Sequence, residues 1–289
     1  MTPLSEKTSF YWSVRRELWE NRSLYIAPLL VGFVAMFALA VSTVGIVERR
    51  RDVLLLDPAQ QRARIAVPYD AAAAVLIITA FIVGIFYCLD ALYGERRDRS
   101  ILFWKSLPVS DRTTVLSKAT IPMIVLPAII FPIIIVTQFW MLLISSAVLA
   151  SSGLAGTTWT RFNLIEHSLI LLYLLPTLAL WHAPIYAWLL LVSAWAKRAT
   201  FLWAVMPFVV VSVFERIAFG TSYFGLMLRY RVAGYTAVAF ALKANTPIDS
   251  LSQLTPGRFL TTAGLWGGLI LTAIFLAAAV RLRRNREPI

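Results

Sequence analysis

The sequence predicts an all-α, polytopic membrane protein: six spanning helices, an interfacial helix ahead of them, and short re-entrant or external helices before the last span. Three observations carry this. The 289 residues are 59% hydrophobic and only 15% charged, whereas a soluble domain is roughly 45–50% apolar and about 25% charged. The excess arrives in runs near the roughly 20 residues that a helix needs to cross a bilayer. The alternating segments of about ten residues that build a membrane barrel are absent. Helices are then required, because the backbone must satisfy its own hydrogen bonds where no water reaches.

Residues 10–22 read as a helix lying on the membrane. At 100° per residue Phe10, Tyr11, Val14 and Leu18 share one face, Arg16, Glu17 and Glu20 lie opposite, and Trp12 and Trp19 sit on a flank at headgroup level. The polar start lacks a signal-peptide core, so the first span is expected to stay as an uncleaved anchor. Spans follow at about 24–47, 71–93, 119–150, 168–195, 200–217 and 262–281. One transmembrane domain covers the chain: a leader (1–23), the bundle (24–281) and a tail (282–289). Pro122, Pro127 and Pro132 fall in the first half of the long third run, which predicts a tilt or kink. A tight turn, 195–199, joins the fourth and fifth spans. Between 218 and 261, two apolar pieces too short to cross are divided by Arg229, Tyr230 and Arg231. They read either as an outer gate or as a folded extracytoplasmic cap.

The net charge of +12 points to basic loops against anionic lipid, not to nucleic acid. With the amino terminus inside, the cytoplasmic side holds most of the 27 Lys and Arg, including Lys197, Arg198 and the basic tail. An even number of spans puts both termini inside. The expected location is a cytoplasmic (inner) membrane.

No phosphate-binding Gly-rich loop, zinc-protease motif, paired Cys motif or nucleophile elbow occurs. Two separated histidines and Cys88 make a poor metal set. The expectation is a chain with no catalytic residues and no metal or cofactor of its own. His182, near the middle of the fourth span, reads as a neutral histidine bonded to a neighbouring helix or as a polar group on a pathway. Asp90 reads as an interfacial carboxylate paired with Arg96 or Arg97, or as a polar contact at a pathway mouth.

The loop after the second span carries the strongest signal. Glu95, Arg96, Arg97, Asp98 and Arg99 precede Ser100, Ile101, Leu102, Phe103, Trp104, Lys105 and Leu107. Ser100 can cap a short helix and Pro108 can end it. An apolar tip ringed by charge needs something to bury it: a protein partner, or the bilayer surface.

The string Gly-Glu-Arg-Arg-Asp-Arg-Ser-Ile-Leu-Phe-Trp-Lys-Ser-Leu-Pro-Val-Ser-Asp, residues 94–111, resembles the loop after the second span in bacterial ABC-2-type transporter permeases. Arg15-Arg16-Glu17-Leu18-Trp19-Glu20-Asn21-Arg22-Ser23 resembles their leader. The resemblance implies the membrane half of an ABC exporter, in which two permease chains pair and work with separately encoded ATP-binding subunits that hold ATP and magnesium. It implies an elbow helix at Phe10, Tyr11, Val14, Leu18 and Trp19. It also implies a coupling helix at Ile101–Leu107 docked in the ATPase, with Glu95–Arg99 as its charged rim. Two other classes remain open: a membrane scaffold or sensor that holds a partner through the same loop, and a membrane-embedded lipid enzyme.

Overall fold

In the computed structural model, the residues described are 6–101, 103, 109–241, 248 and 250–285. All of the regular structure among them is helical, without a strand. Six helices are long and apolar enough to cross a membrane: Ser23–Ser42, Pro58–Arg97, Asp111–Ala150, Ala155–Trp195, Thr200–Phe219 and Ala263–Asn285. The protein is a multi-pass membrane protein. Those six are called here the first to sixth spans, and helix Glu6–Glu20 the leader.

Several helices outrun their apolar runs, because a helix ends where its caps are, not where the bilayer does. The second begins at Pro58, where the Asp57 side chain accepts from the amides of Ala59 and Gln60. The third begins at Asp111, capped by Ser110. The continuous helix Leu164–Trp195 of the fourth span is capped by Asn163. The first ends earlier than its hydropathy, at Ser42, just before Gly45 turns the chain with φ 69°. Within the third span, where a tilt or kink was expected, the helix takes a π-helical turn, Ile121–Val125, holding Pro122. Proline has no N–H to give, and the widened turn accommodates the loss. Ala199, with φ 51°, makes the sharp turn between the fourth and fifth spans.

The core lies among the first four spans. Leu24, Leu76, Cys88, Ile121, Leu126, Ile134 and Leu190 are all buried there. Side chains on lipid gain little from hydrophobic transfer, so close approach and interhelical hydrogen bonds matter more. Gly32 lets the first span meet Thr137 of the third; a Cβ there would sit 2.9 Å from the Thr137 hydroxyl. The Tyr69 hydroxyl bonds the Ser145 hydroxyl at 3.0 Å, and the Gln138 amide donates to the Tyr69 carbonyl at 3.2 Å. The sixth span packs along the fourth. The fifth is peripheral, and only its Ala204 is buried.

The segment before the last span folds against the fourth and sixth as helices Tyr223–Ala233, Tyr235–Ala239 and Pro256–Thr261. Arg229–Arg231 do not divide it, as the sequence suggested. Arginine is a good helix former, and the break comes at Gly234. Arg231 turns back over the Trp181 ring, 4.9 Å from its centroid, and donates to the Gly264 carbonyl at 2.9 Å. Gly268 makes the room: a Cβ there would meet an Arg231 guanidinium nitrogen at 1.6 Å.

Candidate functional site

The second span breaks at Leu92 and resumes as a short neck, Tyr93–Arg97, followed by a turn at Asp98 and Arg99. Everything around this neck ties it down. The Ser193 hydroxyl, from the end of the fourth span, accepts from the amides of Leu92 (2.9 Å) and Tyr93 (2.8 Å). These two amides stand where the helix breaks, and a buried unpaired amide would cost about 1–3 kcal/mol. Arg96 donates to the carbonyls of Ala194 (2.6 Å) and Ala196 (3.2 Å). There its charge also faces the negative end of a long helix.

Glu95 enters an ion cluster shared by four elements. Lys118 of the third span lies 2.8 Å from Glu17 Oε1 of the leader and 3.2 Å from Glu95 Oε1. Arg16 bridges the same two carboxylates at 2.8 and 3.5 Å. Arg283 of the sixth span meets Glu95 Oε2 at 3.0 Å and also pairs with Asp111. The Tyr87 hydroxyl donates to Glu17 Oε2 at 2.8 Å. Three cations thus tie together Glu17, Glu95 and Asp111, and Glu20 meets Arg16 from the exposed side at 3.6 Å. Glu17 is 1% exposed and Lys118 3%, so solvent screens this cluster little.

Burial pushes the Glu17 carboxyl up, but the Lys118 ammonium and the Arg16 guanidinium more than offset it. Its pKa is held below the ordinary carboxylate value. A depressed carboxylate gives stability that is complete above the unfolded pKa and is lost as pH falls through the folded one. The thermal midpoint of the purified protein is therefore expected to fall on acidification between about pH 5 and pH 2, with a shallower fall in Glu17→Gln. Equal slopes would refute the role of this carboxyl.

The leader lies against the bundle differently from the expected face. Val14 and Leu18 pack against the core, but Tyr11 and Trp19 are exposed, and Phe10 is half-buried. Arg15 stacks over Trp12 and Trp19 at 5.0 and 4.6 Å. Glu17, placed by periodicity on a solvated face, is the deepest group of the helix. Its partners come from other elements, and one helix's period carries no record of them.

The five charges of the expected rim separate. Glu95 and Arg96 face inward, while Arg97, Asp98 and Arg99 are exposed. Arg97 pairs with Asp98 at 2.9 Å and with Asp90 at 3.6 Å. Asp90 thus stands exposed on the side of the neck. Arg99 holds a left-handed backbone, φ 57°, at a cost of roughly 1–2 kcal/mol for a residue with a Cβ. The chain turns sharply there, from the neck to Ser100 and Ile101, where it is helical again. The Ser100 hydroxyl reaches back to the Glu95 carbonyl at 3.4 Å. Ile101 is buried at 1% and Phe103 is 59% exposed. Leu102, Trp104, Lys105 and Leu107 lie outside the described residues. Sequence reasoning missed Lys118, Asp111 and Arg283 as members of the cluster. The available signal was spacing: Asp111 and Lys118 are seven apart and share a helix face.

Cavities lie among the spans. One, of about 170 Å³, is lined by Phe81, Tyr186, Tyr235 and His182 among others. His182 is buried. Its Nδ1 stands 2.9 Å from the Leu178 carbonyl and its Nε2 3.0 Å from the Val232 carbonyl, joining the fourth span to helix Tyr223–Ala233. Another, of about 680 Å³ and almost wholly apolar, lies between the third, fourth and sixth spans. Pro127, Leu175 and Ala179 line both, as a common wall.

Compared with known protein families, curated proteins and solved structures, the chain has no match in any of the three.

Proposed function

We propose that this chain is the membrane-spanning subunit of an ATP-driven exporter of the ABC-2 type, located in a bacterial inner membrane. It works as a pair of such chains and is coupled through residues 94–111 to separate ATP-binding subunits. ATP and magnesium belong to those subunits, and this chain does no chemistry. The family reading rests on the resemblance of residues 94–111 and of the leader.

The observation that best supports the coupling is the way the neck is held. Arg96 and the Ser193 hydroxyl fix it to the fourth span, and the ion cluster fixes it to the leader, the third span and the sixth. A push on residues 94–111 would reach all of these as one body. A soft attachment would dissipate the push in local bending. For ATP to shift the spans, the loop must make different contacts in the two states of its partner. The apolar cavities suit a lipid-like or hydrophobic cargo.

The test is to tag the chain, extract it gently, and compare wild type with Phe103→Ala, Trp104→Ala. A P-loop ATPase is expected to co-purify with the wild type and to be lost from the variant. Permease-stimulated ATP turnover is expected to fall to the level of the ATPase alone, with membrane insertion unchanged. Normal stimulation in the variant would sink the coupling assignment. An assembly that forms but never drives flux would favour a scaffold.

A further inference from the structure

The end of the molecule opposite the leader holds a polar basin of about 240 Å³ between the second span, helix Ala155–Arg161 and the start of helix Leu164–Trp195. Arg62 and Arg161 line it. Among the described residues neither guanidinium makes an ion pair or a hydrogen bond, in contrast to Arg16, Arg96 and Arg283 at the other end. Asn163 also lines the basin. Its side-chain oxygen is committed to the amides of Ile165 and Glu166, which leaves its NH₂ end as a donor.

His167 forms the floor. Its Nδ1 lies 3.0 Å from the Asn163 carbonyl, and its ring stacks on Phe162 with centroids 4.1 Å apart. Donation from Nδ1 to that carbonyl fixes the tautomer. Nε2 is left buried without a hydrogen bond, 3.7 Å from an Asp70 carboxylate oxygen. The one acid lining the basin, Glu166, accepts from the Leu251 amide at 3.3 Å. In that tautomer Nε2 is an acceptor, but the N–H groups of Arg62, Arg161 and Asn163 still outnumber the acceptors, and among the described residues neither guanidinium is ion-paired.

We propose that this basin binds a phosphate-type oxyanion, gripped by Arg62 and Arg161 and oriented by the Asn163 amide. Two guanidinium forks and an amide offer more N–H groups than the two oxygens of a carboxylate can take. A phosphate presents three or four oxygens, and arginine matches it two bonds at a time. The phosphate is that of a lipid headgroup or of a soluble molecule. This proposal is independent of the exporter reading and holds whether or not an ATPase partners the chain.

The test uses the full chain, stripped of phospholipid in a non-ionic detergent, and follows the thermal unfolding midpoint. Inorganic phosphate is titrated against chloride at equal ionic strength. Phosphatidylglycerol is titrated against diacylglycerol with the same tails. The midpoint is expected to rise with a phosphate-bearing probe only. Arg62→Gln, Arg161→Gln is expected to weaken that response by about tenfold or more, the equivalent of one charge-assisted hydrogen bond or better. Arg62→Lys, Arg161→Lys should keep part of it.

Because neither arginine has a partner among the described residues, the double Gln variant should unfold at the wild-type midpoint without ligand. If it does not fold, each single Gln variant serves in its place. A rise with phosphatidylglycerol alone identifies a headgroup site, and a rise with inorganic phosphate identifies a site for soluble phosphate. No rise with either probe overturns the proposal, as does an equal rise in the Gln variant.

Discussion

Replacing Lys118 by methionine is expected to destabilise the protein by about 3–5 kcal/mol, the usual cost of removing one partner from a buried charge cluster. The size follows from what is left behind. Glu17 and Glu95 would face each other across the vacated site, with Arg16 bridging both and Arg283 reaching only Glu95. Glu17 is almost fully buried and cannot turn to water. The measurement is thermal or denaturant unfolding in detergent. Coupling is the sharper readout: Lys118→Met with Glu17→Gln should be far less damaging than the two single changes added together, because neutralising the carboxyl removes the stranded charge. Additive losses would mean that the two side chains do not act on each other.

Truncating Trp181 to alanine is expected to cost about 3–5 kcal/mol, as for other fully buried large aromatics. Trp181 is 0% exposed. It packs edge-on to Tyr230 at 5.4 Å and against Phe259 at 6.3 Å, beneath the Arg231 guanidinium. The loss is therefore local in origin. Hydrogen exchange should accelerate first in Tyr223–Ala239 and Pro256–Thr261, ahead of the second and third spans. Trp181→Phe should recover much of the loss, since it keeps a ring under the arginine. Uniform acceleration throughout the bundle would refute Trp181 as the anchor of this segment.

The six spans were legible because twenty apolar residues in a row have one economical solution in a bilayer. The tight turn at 195–199 was legible for the same reason, as two long runs left it no slack. The upward extension of the second span to Pro58 was not. Its polar first turns resemble a loop by hydropathy, and its boundary is set by Asp57. The 94–111 loop stood out through a local contrast of aromatic and charged residues. The cluster beneath it did not, because Arg16, Glu17, Glu95, Asp111, Lys118 and Arg283 are scattered along the chain. Each taken alone looks like an ordinary interfacial charge. Only folding converts them into one site. The segment before the last span was misjudged at Arg229–Arg231 because charge was taken as a break, while Arg231 had a glycine-floored groove to enter.

The cluster also imposes an order on assembly. Synthesis delivers Arg16 and Glu17 first, then Glu95, then Asp111 and Lys118, and Arg283 only with the sixth span. Until that span is in place, Asp111 lacks its guanidinium and Glu95 has one contact fewer. A nascent or prematurely terminated chain therefore carries excess negative charge in the cluster, and its leader and neck are held less firmly. The last of these pairs closes only when the sixth span docks, so the finished cluster marks the point at which the two ends of the chain have met.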